Sequence, residues 1–140
     1  MLKPLQISQE DQDIYKKLNF AKLAYMIVEI QGDGFEKGVV TASGPHPVNY
    51  DEIIQLLPKD ESRYLFLNFQ FTSDDKRKIS KTVLILWTPN EAPSKNKFLY
   101  CTSKNSIKAV FQAVQFEIQS DGYKDVTSET IKNKIMQGEK

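Results

Sequence analysis

One segment, residues 63–71, constrains the fold more than any other, because its pattern predicts a strand that is apolar on both faces. The side chains on its two faces are Tyr64, Phe66 and Asn68 on one, and Leu65, Leu67 and Phe69 on the other. A strand with two apolar faces is normally covered by a layer on each side. Residues 80–88 predict a second such strand, with Val83 to Trp87 as its apolar centre. We therefore predict a central sheet with helices on both faces.

The rest of the chain supplies helices and strands for such an arrangement. Ser8 with the acids after it predicts a helix start, and Gly32-Asp33-Gly34 predicts the turn of a hairpin. The other predicted elements are a helix over 8–18, strands over 21–31 and 35–42, a short helix capped by Asn49, a long helix from near Asn90, a strand over 115–119 and a helix from Thr127 or Ser128 to near Gly138. The length of 140 residues suits one domain, residues 1–140. We predict an α/β (α+β) fold with a mixed sheet of five to six strands between helices.

The long helix is predicted to have an apolar side and a basic side. At 100° per residue, its apolar positions gather on one side. These positions are Leu99, Ser103, Ile107, Val110 and Val114. Lys97, Cys101, Lys104 and Lys108 gather roughly 120° away by the same geometry. The pattern predicts a buried apolar stripe and a basic stripe that faces solvent.

Catalytic and metal sites are disfavoured by the residues available. The chain has one cysteine, Cys101, and one histidine, His46, so a disulfide within the chain, a cysteine-rich metal site and a histidine-pair site are excluded. Nucleophilic catalysis would need Cys101 paired with His46, which lies between two prolines in a predicted surface loop. There is no glycine-rich phosphate loop of Walker or dinucleotide type. We predict no catalytic residues, no metal and no cofactor.

Hydropathy and charge limit the partners. The longest apolar run, residues 83–87, is far below the ~18–20 residues needed to span a bilayer. The polar start of the chain lacks a signal-peptide core, which predicts a soluble cytoplasmic protein, with the nucleus left open. The net charge of +1 argues against nucleic acid as the partner.

Positive charge is nevertheless concentrated between residues 76 and 108. This stretch has eight basic side chains and one acidic side chain, Glu91. Such a region is either a solvated face or a docking surface for an acidic partner, whose association the charge would steer.

Three motifs within this part of the chain and just before it resemble a known family. They are LPKDESRY from Leu57, WTPNEAP from Trp87 and KFLYCTSKNSIK from Lys97. They are similar to the L-P-x-x-D-C-R-Y, W-x-P-x-x-x-A-P and K-M-x-Y-A-S-S-K-D-A-(L/I)-(K/R) patterns of the actin-depolymerising factor/cofilin family. The order of elements agrees from about residue 8 to residue 135, which is nearly the whole chain. The chain thus resembles a single ADF-homology domain.

The resemblance implies a monomeric, non-enzymatic protein of the cytoplasm and cytoskeleton that binds actin monomers and filaments. It further implies a preference for ADP-actin and promotion of filament severing or depolymerisation. The residues matching the family's main actin contact are Lys97, Lys104, Asn105 and Lys108. The filament-specific contact is expected to include Lys78, Lys81 and Lys134. Lys81 and Lys134 match basic positions of the family, and Lys78 is next to Ile79, which stands where arginine is common. Phosphoinositides are a further partner that the resemblance suggests.

The chain also departs from the family pattern. Asn105 replaces the usual aspartate, and Ala109 and Val110 stand where basic residues are common. Lys3 and Pro4 occupy the place of the family's regulatory serine. Ser8 is the first serine, and helix capping is the role we predict for it.

Three alternative functions remain open at this point. A glia-maturation-factor-like protein would bind the Arp2/3 complex and remove filament branches. An actin monomer binder with weak severing would use the same surface. A phosphoinositide-regulated surface binder would place the basic region on anionic headgroups. An enzyme is the least favoured class.

Overall fold

The computed structural model describes residues 5–138. The elements in chain order are α1 (Gln9–Asn19), β1 (Tyr25–Gln31), β2 (Lys37–Gly44), α2 (Tyr50–Ile54), β3 (Arg63–Thr72), β4 (Lys78–Trp87), α3 (Ser94–Val110), β5 (Phe116–Ser120), a short 3-10 helix (Tyr123–Val126) and α4 (Ser128–Gly138). The five strands form one sheet in the order β2-β1-β3-β4-β5.

The sheet is mixed, as the sequence predicted. Neighbouring strands from β2 to β4 pair antiparallel, and β5 pairs parallel to β4. Two parallel neighbours need a long crossover connection, and α3 supplies it here. This connection places the long helix across one face of the sheet.

Helices cover both faces, which confirms the prediction from the two-sided apolar strand. Tyr64 and Phe66 of β3 pack in one core with residues of α1 and α3. Leu65 and Leu67 lie on the opposite face of β3, where they pack in a second core with residues of α2 and α4. Trp87 is fully buried in the second core, and its Nε1 donates a hydrogen bond to the carbonyl oxygen of Pro58 at 2.6 Å. Trp87 is therefore a core residue.

Two predicted helix caps are present. The Ser8 hydroxyl accepts a hydrogen bond from the amide of Asp11 at 3.1 Å, at the start of α1. The Asn49 side chain accepts one from the amide of Asp51 at 3.0 Å, at the start of α2. Each satisfies an amide that a helix start leaves without an internal partner.

The predicted long helix is corrected at both ends. It begins at Ser94 and not near Asn90, because the amides of Thr88 and Asn90 still donate to the carbonyl oxygens of Ser120 and Asp121 beside the sheet. It ends at Val110, so Val114 lies outside it. The break follows from Phe111, which leaves helical geometry and whose buried ring enters the core.

The first strand is shorter than predicted, since it begins at Tyr25 and not at residue 21. Ala21 has a φ of 63°, in the left-handed region, and the amide of Lys22 donates to the carbonyl oxygen of Lys17. These residues form the turn that ends α1, and their backbone groups are used there and not in the sheet.

Buried phenols predict a loss of stability at alkaline pH. Burial raises the pKa of Tyr15 to about 12 and also raises the pKa values of Tyr64 and Tyr100. An unfolded tyrosine loses its proton near pH 10, so above that pH ionisation favours the unfolded chain. Stability should be intact below about pH 10 and fall progressively above it. A pH titration that follows phenolate absorbance and near-ultraviolet circular dichroism together tests this, and ionisation of all tyrosines near pH 10 without loss of the dichroism would contradict it.

Candidate functional site

The middle of α3 is held on the sheet by Tyr100. β1 pairs with β3 only as far as Val28, so the amide of Ile30 lies beyond the end of that ladder. The Tyr100 hydroxyl accepts a hydrogen bond from this amide at 2.9 Å. The Tyr64 hydroxyl in turn donates to the carbonyl oxygen of Tyr100. Because buried polar groups are costly to leave unpaired, these bonds fix the position of the helix.

Both ends of α3 are also attached to the body of the protein. At the start, the Asn96 side chain accepts a hydrogen bond from the amide of Ser62 at 2.7 Å, just before β3. At the end, the Phe111 ring lies 5.0 Å from the Tyr15 ring and 5.3 Å from the Phe66 ring, between centroids. The Tyr15 hydroxyl also donates to the carbonyl oxygen of Gln112. The helix is therefore a fixed platform.

The side of α3 opposite these anchors faces solvent. Tyr100, Ser103 and Ile107 are buried, whereas the exposed residues recur three and four positions apart. We call five of the exposed residues the outward stripe, and they are Phe98, Cys101, Thr102, Asn105 and Ala109. Ser94 and Lys95, in the first turn of α3, are exposed as well. Phe98 has 70% of its surface exposed and is one of four exposed large apolar residues among residues 5–138.

The three lysines of the predicted basic stripe flank the outward stripe, whereas Cys101, the fourth residue of the predicted stripe, lies within it. The expectation that the basic stripe faces solvent is therefore corrected for the lysines. Lys97, Lys104 and Lys108 are each half-buried along one side of the helix. Asn105, by contrast, lies within the outward stripe. The structure thus brings all four of these α3 residues to one surface, with an aromatic ring beside them.

Two of these lysines share an acidic partner on the neighbouring strand. Lys104 Nζ lies 3.2 Å from one carboxylate oxygen of Glu117 in β5, and Lys108 Nζ pairs with the other oxygen. The hydrogen bond from Lys108 is the main reason that the pKa of Glu117 is lowered, and Lys104 adds to it. The carboxylate therefore stays ionised and neutralises part of the lysine charge.

The three lysines predicted for the filament-specific contact lie elsewhere. Lys78 begins β4, and Lys81 lies two residues from Ile79 and two from Val83, so it shares their face of the strand, which packs toward α2 and α4. Lys134 is exposed on α4. This group lies at the start of β4 and on α4, so the structure does not join it to the α3 surface.

A fourth basic residue lies near the end of the β3–β4 hairpin. Lys132 of α4 places its Nζ 5.8 Å from the centroid of the Phe71 ring in β3. Phe71 pairs with Ile79 next to Lys78 in the sheet register. A cation over an aromatic face is held there electrostatically, so Lys132 adds a charge to this region.

The two residues weighed for catalysis, His46 and Cys101, have different hydrogen-bond partners in the structure. His46 is hydrogen-bonded to the Asn68 side chain at 3.0 Å, and the exposed Cys101 accepts a contact from Gln119 Nε2 at 3.7 Å. Residues 5–138 contain no group of three or more histidine, cysteine and acidic side chains placed to hold a metal ion. Within the same range, none of the helices has the length and apolar character to cross a membrane. Lys3 and Pro4 lie outside the described residues.

Phe98, Glu117 and Lys132 were not among the residues predicted for the site. A signal for Phe98 was present, because its helical angle places it opposite Tyr100 and Ile107. No comparable signal exists for Glu117, whose pairing depends on the loop between α3 and β5. The position of Lys132 over the Phe71 ring likewise depends on how α4 packs against β3.

Comparison with known proteins agrees with this geometry. The profile of a family described as cofilin/tropomyosin-type actin-binding protein matches residues 4–136. A cofilin of Mycosarcoma maydis is 26% identical over 132 residues, 94% of each chain. Actin-depolymerizing factor 3 of Zea mays is 28% identical over 120 residues, 86% of each chain. The crystal structure of Streptomyces griseoflavus cofilin shares the fold with a TM-score of 0.85 at 24% identity, over 95% of this chain and 98% of that one. The family profile, together with the sheet order and the motifs around Trp87 and Tyr100, shows that the chain belongs to the actin-depolymerising factor/cofilin family of actin-binding proteins.

Proposed function

We propose that this protein binds actin monomers and filaments through α3, prefers ADP-actin and promotes filament severing and depolymerisation. The observation that carries the proposal is the outward stripe, in which an exposed Phe98 lies beside lysines on a firmly anchored helix. We place the activity in the cytoplasm, at the actin cytoskeleton, for a single ADF-homology domain acting as a monomer.

The chemistry of this surface suits a protein partner with an acidic rim around an apolar cleft. Large exposed aromatic residues are common anchors of protein interfaces, because burying them on binding contributes much of the affinity. Lys97, Lys104 and Lys108 would steer an acidic partner toward the stripe and set its orientation. Asn105 adds a polar group in the centre.

We assign the filament-specific contact to a second surface made by Lys78, Lys81 and Lys134, with Lys132 beside them. Its position at the start of β4 and on α4, away from the outward stripe, would let one molecule touch two neighbouring actin subunits. A lone actin monomer would engage only the first surface. Filament binding would therefore lose more than monomer binding when these lysines are removed.

High-speed co-sedimentation with filamentous actin tests the proposal. The wild type should pellet with filaments or shift actin into the supernatant. Lys104→Ala/Lys108→Ala should weaken this by about tenfold, as expected for two partly screened charge contacts of roughly 0.5–1 kcal/mol each. Lys59→Ala/Lys124→Ala is the matched control, because it removes the same charge from two exposed lysines outside α3.

The outcomes separate the competing functions. A wild type without effect on either actin fraction would contradict filament disassembly and favour an Arp2/3 partner, which a branch-removal assay would then test. Actin monomer binding without filament shortening would reduce the proposal to monomer sequestration. Equal losses in both double variants would contradict the assignment of the surface.

A further inference from the structure

We propose that Glu117 is a specificity-determining residue of the α3 surface. Its carboxylate positions Lys104 and Lys108 for a rigid acidic protein and weakens their attraction for a fluid anionic surface. This inference rests on the proposed function, since the rigid partner is actin.

The geometry makes Glu117 the shared counter-ion of both lysines. Each of its two carboxylate oxygens pairs with a different ammonium group. All three side chains are only about one-third exposed, at 33% for Lys104, 38% for Lys108 and 32% for Glu117. Ion pairs that are partly shielded in this way are screened less by salt than exposed pairs. The two lysine stems are thus held toward β5 beside the outward stripe.

A lysine ammonium has three donors, so pairing with Glu117 leaves others for a partner. A protein surface presents carboxylates at fixed points. It binds cations that are already held in position more tightly than mobile ones, because less side-chain entropy is lost on binding. Removing Glu117 would loosen the two lysines and also raise the local positive charge. For a rigid acidic partner these two effects oppose each other.

A lipid surface responds differently. Its headgroups move to meet a cation wherever it lies, so the position of the lysines counts for little and the local charge counts for most. Lys104, Lys108 and Glu117 together carry a net charge of +1. Without the Glu117 carboxylate, the two lysines carry a charge of +2. Glu117 therefore lowers the affinity for anionic lipid more than it lowers the affinity for actin.

The test compares two partners with three variants of the full chain. The partners are filamentous actin and vesicles of phosphatidylcholine with phosphatidylserine, and vesicles of phosphatidylcholine alone serve as blank. Glu117→Gln should bind the anionic vesicles about fivefold more tightly than the wild type, with a steeper dependence on salt, as expected for one unit charge near the surface. Its affinity for actin should change by less than about twofold.

Two further variants serve as controls. Glu117→Asp keeps the charge and should bind vesicles as the wild type does. Glu52→Gln removes the same charge from an exposed position on α2, which covers the other face of the sheet, and should leave both affinities unchanged.

Several results would overturn the proposal. They are equal gains of Glu117→Gln for actin and vesicles, unchanged vesicle binding, or an aspartate variant that behaves like the glutamine variant. A wild type that does not bind actin contradicts the proposed function and this inference with it. A wild type that binds actin, beside variants with an unchanged ratio of the two affinities, contradicts this inference alone.

Discussion

Replacing Phe98 by alanine is expected to weaken actin binding by roughly 30- to 100-fold, which corresponds to about 2–3 kcal/mol of binding free energy. Phe98 has 70% of its surface exposed in the free protein, so an interface centred on the outward stripe would bury most of the ring. The loss should appear mainly as faster dissociation, since no charge is removed and the steering of the partner is unchanged.

Co-sedimentation over a range of actin concentrations measures this effect, with thermal unfolding of the same samples as a check on folding. The stability should change by less than about 0.5 kcal/mol, because the ring makes few contacts in the free protein. Leu56→Ala is the matched control, since Leu56 is 56% exposed and follows α2 on the other face of the sheet. Equal actin binding by the Phe98 variant and the wild type would show that the outward stripe is not the interface.

Replacing Phe111 by alanine is expected to lower the free energy of unfolding by about 3–5 kcal/mol, the usual cost of removing a buried phenylalanine ring. Phe111 is 1% exposed and packs against the rings of Tyr15 and Phe66. Its removal would leave a cavity where α3 ends, between α1 and the sheet. The change is large because whole domains are stable by only about 5–15 kcal/mol.

Urea denaturation followed by circular dichroism measures the stability of the Phe111 variant. Phe98→Ala is its control, because the same atoms are deleted from an exposed position in α3, the helix that Phe111 follows. Phe111→Leu should show a much smaller loss, since leucine fills part of the cavity. A loss below about 1 kcal/mol for Phe111→Ala would contradict the role of this ring as the anchor of α3.

Much of the fold could be predicted from local patterns. Alternation of apolar residues along β3 indicated both of its buried faces, and the caps at Ser8 and Asn49 indicated where α1 and α2 begin. These features depend on neighbours in sequence, so no knowledge of the tertiary structure was needed. The limits of α3 were predicted wrongly, because its start depends on hydrogen bonds to Ser120 at the end of β5 and to Asp121 just after it, and its end depends on the packing of Phe111.

Part of the candidate site could likewise be predicted from the sequence, and the rest depended on the tertiary structure. The helical period and the motif from Lys97 to Lys108 were sufficient to place the three lysines on one side of a helix. Their half-buried position and the exposure of Phe98 follow from how the helix is rotated on the sheet. That rotation is set by Tyr100 and Phe111, whose partners lie in β1, β3 and α1.

The sequence by itself determined the family, the two-sided sheet and the residue types that a partner of α3 would meet, because these follow from motifs and from periodic patterns along the chain. Only the tertiary structure decided how those residues are presented. It placed Lys78, Lys81 and Lys134 away from the α3 surface and brought Glu117 between Lys104 and Lys108. The physical reason is that contacts between distant segments depend on helix rotation and on the parallel return of β5, neither of which leaves a local pattern in the sequence.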